Sequence, residues 1–189
     1  MFSILVYFAL SAKYDYMQSP AQIYRSLAND KTISNCFFYN TGNSIYISTQ
    51  PRPNVIITYN AFYYCNDMAE GKRTVSIYGN VYLQITFNCF HNCTCQQGAL
   101  NYEVNRVSGV ITDVSGNVFS MNYGSRHTVY TYRLRNKAYN KFNYNNFTDC
   151  SKTDVFGILF FEDCELTEKY NTFAECVNPT CIIGYCLTR

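Results

Sequence analysis

The chain has 189 residues, of which 48% are hydrophobic and only 15% charged, with a formal net charge of +2. That length allows one domain with a sizeable core or a short array of repeats, and charge this sparse, with no basic stripe, excludes nucleic acid as an expected partner. Nineteen tyrosines and 14 phenylalanines, with no tryptophan, favour strands over helices.

In chain order the first element is "MFSILVYFALSA", an apolar run closed by small residues, with Ala9 and Ser11 placed before a cleavage point at Ala12. Residues 1–12 read either as a signal segment or as a buried first strand. The run lacks a basic leader and is too short to span a bilayer, and no later segment reads as transmembrane. Next comes "QSPAQIYRSLAND", with Ser19 at the N-cap, Pro20 at the first helical position and Gln22 three beyond the cap. Ile23 and Leu27 then share one face. This pattern predicts a short amphipathic helix within 18–31 that caps the open end of the elements after it.

From residue 32 onward the sequence repeats itself. The stretches are "ISNCFFYN", "TYNAFYYC", "TFNCFHNC", "SGNVFSMN", "NYNNFTDC" and "KYNTFAEC". Their shared core is N-x-F-x-x-(C/N). It places Asn35, Asn60, Asn88, Asn117, Asn145 and Asn171 in one column, at successive differences of 25, 28, 29, 28 and 26. Phe37, Phe62, Phe90, Phe119, Phe147 and Phe173 form a second column, and Asn40, Cys65, Cys93, Asn122, Cys150 and Cys176 close the motif. Each period carries two further apolar stretches, such as "IYIS" and "NVIITYN". Three short strands per period are too few for a compact unit, so each coil must bury its apolar edge against the next. Ile57, Ile85, Val114 and Phe142 lie three before the asparagine and the Phe two after it, at opposite parity. The chain must therefore bend near the Asn, a residue that tolerates left-handed backbone. Asparagines stacked at the bend would hydrogen-bond to one another up the column.

This pattern resembles the right-handed parallel β-helix family, and in particular the phenylalanine-and-asparagine repeats of polymorphic outer-membrane-type proteins and of protist surface proteins. The resemblance implies an all-β solenoid of about six coils over 32–189. The tail "CIIGYCLTR" reads as strand with no polar cap after it. The last coil would then pair end to end with another chain, or the array would continue as a longer protein of which this chain is a fragment.

The ten cysteines suggest an oxidising compartment or metal binding. "ITFNCFHNCTCQQG" brings Cys89, His91, Cys93 and Cys95 together, but a structural zinc site needs a second ligand cluster, and the repeat itself accounts for Cys89 and Cys93. No metal or cofactor site is expected. Cys65 with Cys93, and Cys150 with Cys176, are column neighbours that either pair as disulfides or pack as buried thiols. Asn92-Cys-Thr and Asn146-Phe-Thr are glycosylation sequons.

For catalysis the best candidates are Asp149 and Glu175, at one repeat position on adjacent coils, near Glu162, Asp163 and Glu165. They would need to line a groove with a basic residue opposite. No extended acidic column continues from them, and His91 and His127 have no Ser, Cys or Asp partner by spacing, so no catalytic residue is assigned. The expected function is that of a non-catalytic secreted or cell-surface module, adhesin-like, holding a glycan or protein on an exposed strand face. A polysaccharide-active lyase or hydrolase is the alternative.

Overall fold

The computed structural model describes residues 30–188, except 43, 50–52, 67, 69–72, 97, 105–110, 125–128, 132–138, 153–158, 163–164, 177–180 and 185–186. The signal segment at 1–12 and residues 18–29 of the expected capping helix lie outside the described residues. Lys31, the last residue assigned to that cap and linker, opens the first strand instead. No helix occurs among the described residues.

Every strand runs parallel to its neighbours, and consecutive strands along the chain belong to different sheets. The first sheet holds seven strands, β1 (Lys31–Ser34), β4 (Asn54–Thr58), β7 (Tyr82–Thr86), β11 (Ile111–Ser115), β15 (Tyr139–Asn143), β19 (Glu165–Lys169) and β22 (Leu187–Thr188). The second holds β2 (Phe37–Tyr39), β5 (Ala61–Tyr63), β8 (Cys89–His91), β12 (Val118–Ser120), β16 (Asn146–Thr148) and β20 (Thr172–Ala174). The third holds β3 (Ile45–Thr49), β6 (Val75–Gly79), β10 (Leu100–Val104), β14 (Val129–Thr131), β18 (Leu159–Glu162) and β21 (Cys181–Gly184). A short fourth sheet joins β9 (Thr94–Cys95), β13 (Tyr123–Gly124) and β17 (Ser151–Lys152). The chain winds from sheet to sheet and returns one strand further along, which makes it a parallel β-solenoid.

The core is a set of columns, because parallel in-register pairing stacks like on like. In the first sheet Ile33, Ile57, Ile85, Val114 and Phe142 follow one another in register and are all buried. In the second, Phe38, Phe62, Phe90, Phe119, Phe147 and Phe173 stack with ring centroids 4.7, 4.7, 4.8, 4.7 and 4.9 Å apart. That is the strand-to-strand spacing, so the rings stack nearly parallel from coil to coil.

Two sequence expectations are corrected here. The first coil is displaced by one residue from the expected alignment. Phe38, not Phe37, pairs with Phe62 and is buried at 3% exposure, whereas Phe37 pairs with Ala61 and is 41% exposed. Asn35 accordingly stands outside the asparagine column, and Cys36 takes that place. Thr41 rather than Asn40 meets Cys65, with Oγ1 and Sγ 3.3 Å apart. The physical reason is parity: Ile33 is buried in its column, and only Cys36 lies three residues beyond it.

The second correction concerns the bend. After the first coil the left-handed residue is the one before the column asparagine: Tyr59, Phe87, Gly116, Tyr144 and Tyr170, with φ between 56° and 68°; in the first coil it is an asparagine, Asn35 at 57°, placed before Cys36. A left-handed residue there turns its own side chain outward and lets both the asparagine and the later Phe point in. A second left-handed corner precedes the closing column, at Asn40, Tyr64, Asn92, Met121, Asp149 and Glu175, with φ between 49° and 55°.

Candidate functional site

The asparagine column is a continuous hydrogen-bonded ladder inside the bend. The backbone N and Nδ2 of Asn60 both donate to Oδ1 of Asn88 at 3.0 Å. Asn88 does the same to Asn117, and Asn117 to Asn145, again at 3.0 Å. Asn145 donates to Asn171 at 2.9 and 3.1 Å. Each Nδ2 also reaches back to a strand carbonyl of the preceding coil, as from Asn88 to Ile57 O at 2.9 Å and from Asn117 to Ile85 O at 2.8 Å. Cys36 ends the ladder, its N donating to Asn60 Oδ1 at 2.9 Å. A buried amide is tolerated because its groups are paired on both sides. This ladder sets the shape of the corner and leaves no group over for chemistry.

The closing column works similarly with sulfur. Asn122 Nδ2 donates to Phe90 O at 2.9 Å. At the equivalent places Cys93 Sγ donates to Phe62 O at 3.5 Å and Cys150 Sγ to Phe119 O at 3.3 Å. Cys65 Sγ lies 3.6 Å from Phe38 O. Cys65, Cys93, Cys150 and Cys176 are thiols in this structure. Contact with the Cys93 thiol, and then with Ser44 and Thr41, lowers the Cys65 pKa to about 6 against the opposing effect of burial. Burial pushes Cys93 up and drives Cys150 to about 12.

The cluster around His91 does not converge. Cys93 and Cys95 are buried inward, while Cys89 and His91 lie on the outer side of β8. Asp149 and Glu175 are exposed at the second corner, with Asp149 N donating to Ala174 O at 3.1 Å. Glu162 ends a strand of the third sheet and Glu165 begins one of the first, while Asp163 and His127 lie outside the described residues. Asn146 is exposed, and its Oδ1 accepts from Thr172 Oγ1 at 2.6 Å. Asn92 is half-buried at a left-handed corner, its N donating to Ser120 O.

Two outer surfaces remain. On the second sheet, Phe37, Tyr39, Tyr63, Tyr64 and His91 form a contiguous aromatic face. Phe37 and Tyr63 centroids are 5.7 Å apart, Tyr39 and Tyr64 5.9 Å, Tyr63 and His91 4.9 Å, and Tyr64 and His91 6.0 Å. Phe37, Tyr39 and Tyr64 are each more than two-fifths exposed. The β-strand alternation that buries Phe38 puts Phe37 and Tyr39 outside together. Sequence reasoning missed this face because it had assigned Phe37 to the core.

On the first sheet a groove of about 500 Å³ crosses the strands, floored by residues from β1, β4, β7, β11 and β15. Its outward column reads Thr32, Ile56, Gln84, Asp113 and Lys141 in continuous register. Tyr82 and Asn54 stand beside one another in the next outward column. Both oxygens of Asp30 are engaged by Asn54, with the backbone N donating at 2.7 Å and Nδ2 at 2.8 Å. Those bonds, the backbone one first, lower the Asp30 pKa.

Coil stacking, the two corners and the buried columns define a β-solenoid scaffold that carries its variation on its outer faces. The chain belongs to the right-handed β-helix family: the family model described as a right handed beta helix region matches residues 22–186. No curated protein and no solved structure matches the chain significantly.

Proposed function

We propose that the chain is a non-catalytic, adhesin-like binding module, secreted or displayed at a cell surface, that holds a glycan or protein ligand on the outer faces of its strands. The observation that carries this reading is the aromatic face of β2, β5 and β8. Five rings lie within 4.9–6.5 Å of their neighbours, and three of their residues are more than two-fifths exposed. Contiguous exposed aromatic area of this kind is characteristic of recognition surfaces, because each ring offers apolar contact and tyrosine adds a hydrogen-bonding hydroxyl. The apolar N-terminal run and the exposed Asn146 sequon support a secretory route.

The test is capture of the labelled full chain on glycan arrays and on cultured cells. Saturable capture is expected, with a drop of about tenfold for the Tyr39→Ser, Tyr64→Ser double variant, since aromatic anchors dominate such surfaces. A wild-type chain retained by neither surface would sink the reading. Intact mass of protein secreted from a eukaryotic host, before and after deglycosylation, checks the route.

A further inference from the structure

We infer that the outer face of the second sheet is a self-recognition surface, on which a second copy of this chain docks with its solenoid axis reversed. The inference rests on the reading above that this face binds a ligand, and it names that ligand. The face divides into halves of opposite shape. Its outward column runs Tyr39, Tyr63, His91, Ser120, Thr148 and Ala174 in continuous register. Rings therefore stand on the first three coils and small side chains on the last three. Consider a two-fold axis parallel to the strands, placed between the third and fourth coils. It sets Tyr39 over Ala174, Tyr63 over Thr148 and His91 over Ser120 of the second copy. Each of these contacts occurs twice, which is the self-complementarity an isologous interface requires.

The corners that frame the face obey the same rule. At the second corner the axis brings Tyr64 onto Asp149 and Asn40 onto Glu175, so a hydroxyl and an amide meet the two carboxylates of the face. Across the six strands and both corners, residues 35–40, 59–64, 87–92, 116–121, 144–149 and 170–175, there is no Lys or Arg. Two copies therefore approach with no like charges opposed. At the first corner Tyr59 meets Tyr144. Tyr59, Phe87, Tyr144 and Tyr170 all sit at positive φ and are more than half exposed. Bulky side chains are uncommon in that backbone region, and strain held at an exposed position suits a recognition site. Six strands and the span between corners give a face of roughly 24 by 16 Å, at the small end of specific interfaces. Pairing is therefore weak and reversible, and it gains strength where many copies are displayed together.

The experiment is sedimentation equilibrium of the full chain. A glycan attached at Asn146 would stand inside the face and exclude the second copy, so unglycosylated protein is used. A monomer–dimer equilibrium is expected, with a dissociation constant on the order of 100 µM. Thr148→Tyr, which fills the small half, should weaken pairing at least about tenfold, and Tyr63→Thr about five- to tenfold. Together the two changes exchange a ring and a small side chain across the axis, and the combined variant should pair within about threefold of the parent. Thermal melts check that each variant folds. The inference is overturned if the parent stays monomeric at millimolar concentration, or if Thr148→Tyr pairs like the parent. It is equally overturned if the combined variant, folded, pairs no better than the single ones. A monomeric parent still captured by glycans or cells would overturn self-recognition and leave the broader binding reading standing. A parent that pairs in this register but is captured by neither surface would sustain the interface and sink the broader reading.

Discussion

At the scale of single residues, the strongest constraint is the ladder asparagine. Asn117 accepts two hydrogen bonds from Asn88 through one oxygen and donates to Ile85 O and Asn145 Oδ1 through one nitrogen. Replacing it with alanine orphans buried donors on one side and a buried carbonyl on the other, at a cost of at least about 3 kcal/mol. Asn171, half-buried at the far end of the ladder, should cost only about 1 kcal/mol when truncated. Urea unfolding of Asn117→Ala and Asn171→Ala checks the contrast, and equal losses would mean the ladder has no interior. The thiols make a pH-dependent statement. Cys150 is raised from 9.0 to about 12, chiefly by burial. Its contribution is fully present below pH 9 and is lost as pH rises toward 12, because the unfolded chain ionises first. A shift of that size corresponds to about 4 kcal/mol. The urea midpoint should therefore fall between pH 9 and about pH 11, and by less in Cys150→Ala. The same Sγ–H donates to Phe119 O, so pairing Cys150 with Cys176 as a disulfide would remove a buried donor that the stack uses.

At the scale of the element, each coil turns on a left-handed residue, and in four coils that residue is an exposed aromatic. Tyr59 stacks on Phe87 at 5.3 Å and Tyr144 on Tyr170 at 5.0 Å. In the first coil it is Asn35, and in the remaining one it is Gly116, where an added Cβ would lie 2.8 Å from two atoms of the Phe87 ring. Gly116→Ala should cost about 1–2 kcal/mol, part from backbone at positive φ and part from the displaced ring. In a Phe87→Ala background the second part vanishes, so a double-mutant cycle should show a coupling of roughly 0.5–1 kcal/mol. Zero coupling would mean that the ring does not rest on the glycine. The same corner shows where sequence reading stopped. The N-x-F-x-x-C spacing identified the columns from Asn60 to Asn171, because side chains in a parallel stack repeat with the period of the coil. It failed in the first coil, where "NCFF" offers two phenylalanines and an asparagine at the wrong parity. Ile33, three residues before Cys36, was the signal that fixes the register. The left-handed position was assigned to the repeat asparagine on propensity, which holds for Asn35 in the first coil alone; Gly116, one residue before Asn117, was the clue that it lies one residue earlier in the others. The groove was not legible at all, because its members come from five coils and only the register of outward residues brings them together.

At the scale of the whole molecule, the outer faces differ while the inner columns stay constant. The second sheet is aromatic near its start and changes to Ser120, Thr148 and Ala174 further along. The first sheet carries a mixed polar groove on the same buried framework of Ile, Val and Phe. A solenoid permits this because each coil contacts only its neighbours, so surface identity is set locally and the core does not have to be redesigned with it.

The directional ladder gives the molecule a further property, that of a cassette system. Asn60 meets Asn88 with the same bonds by which Asn88 meets Asn117. Excision of residues 88–116 would bring Asn60 onto Asn117, Phe62 onto Phe119 and Cys65 onto Asn122, each pair already of a kind found elsewhere in the stack. A chain shortened in this way should still fold with parallel-sheet circular dichroism and a lower, cooperative melting transition, whereas a cut of half that length should leave it unfolded. Length in such a protein is therefore open to change by duplication or loss of single coils, with the outer faces growing or shrinking one row at a time.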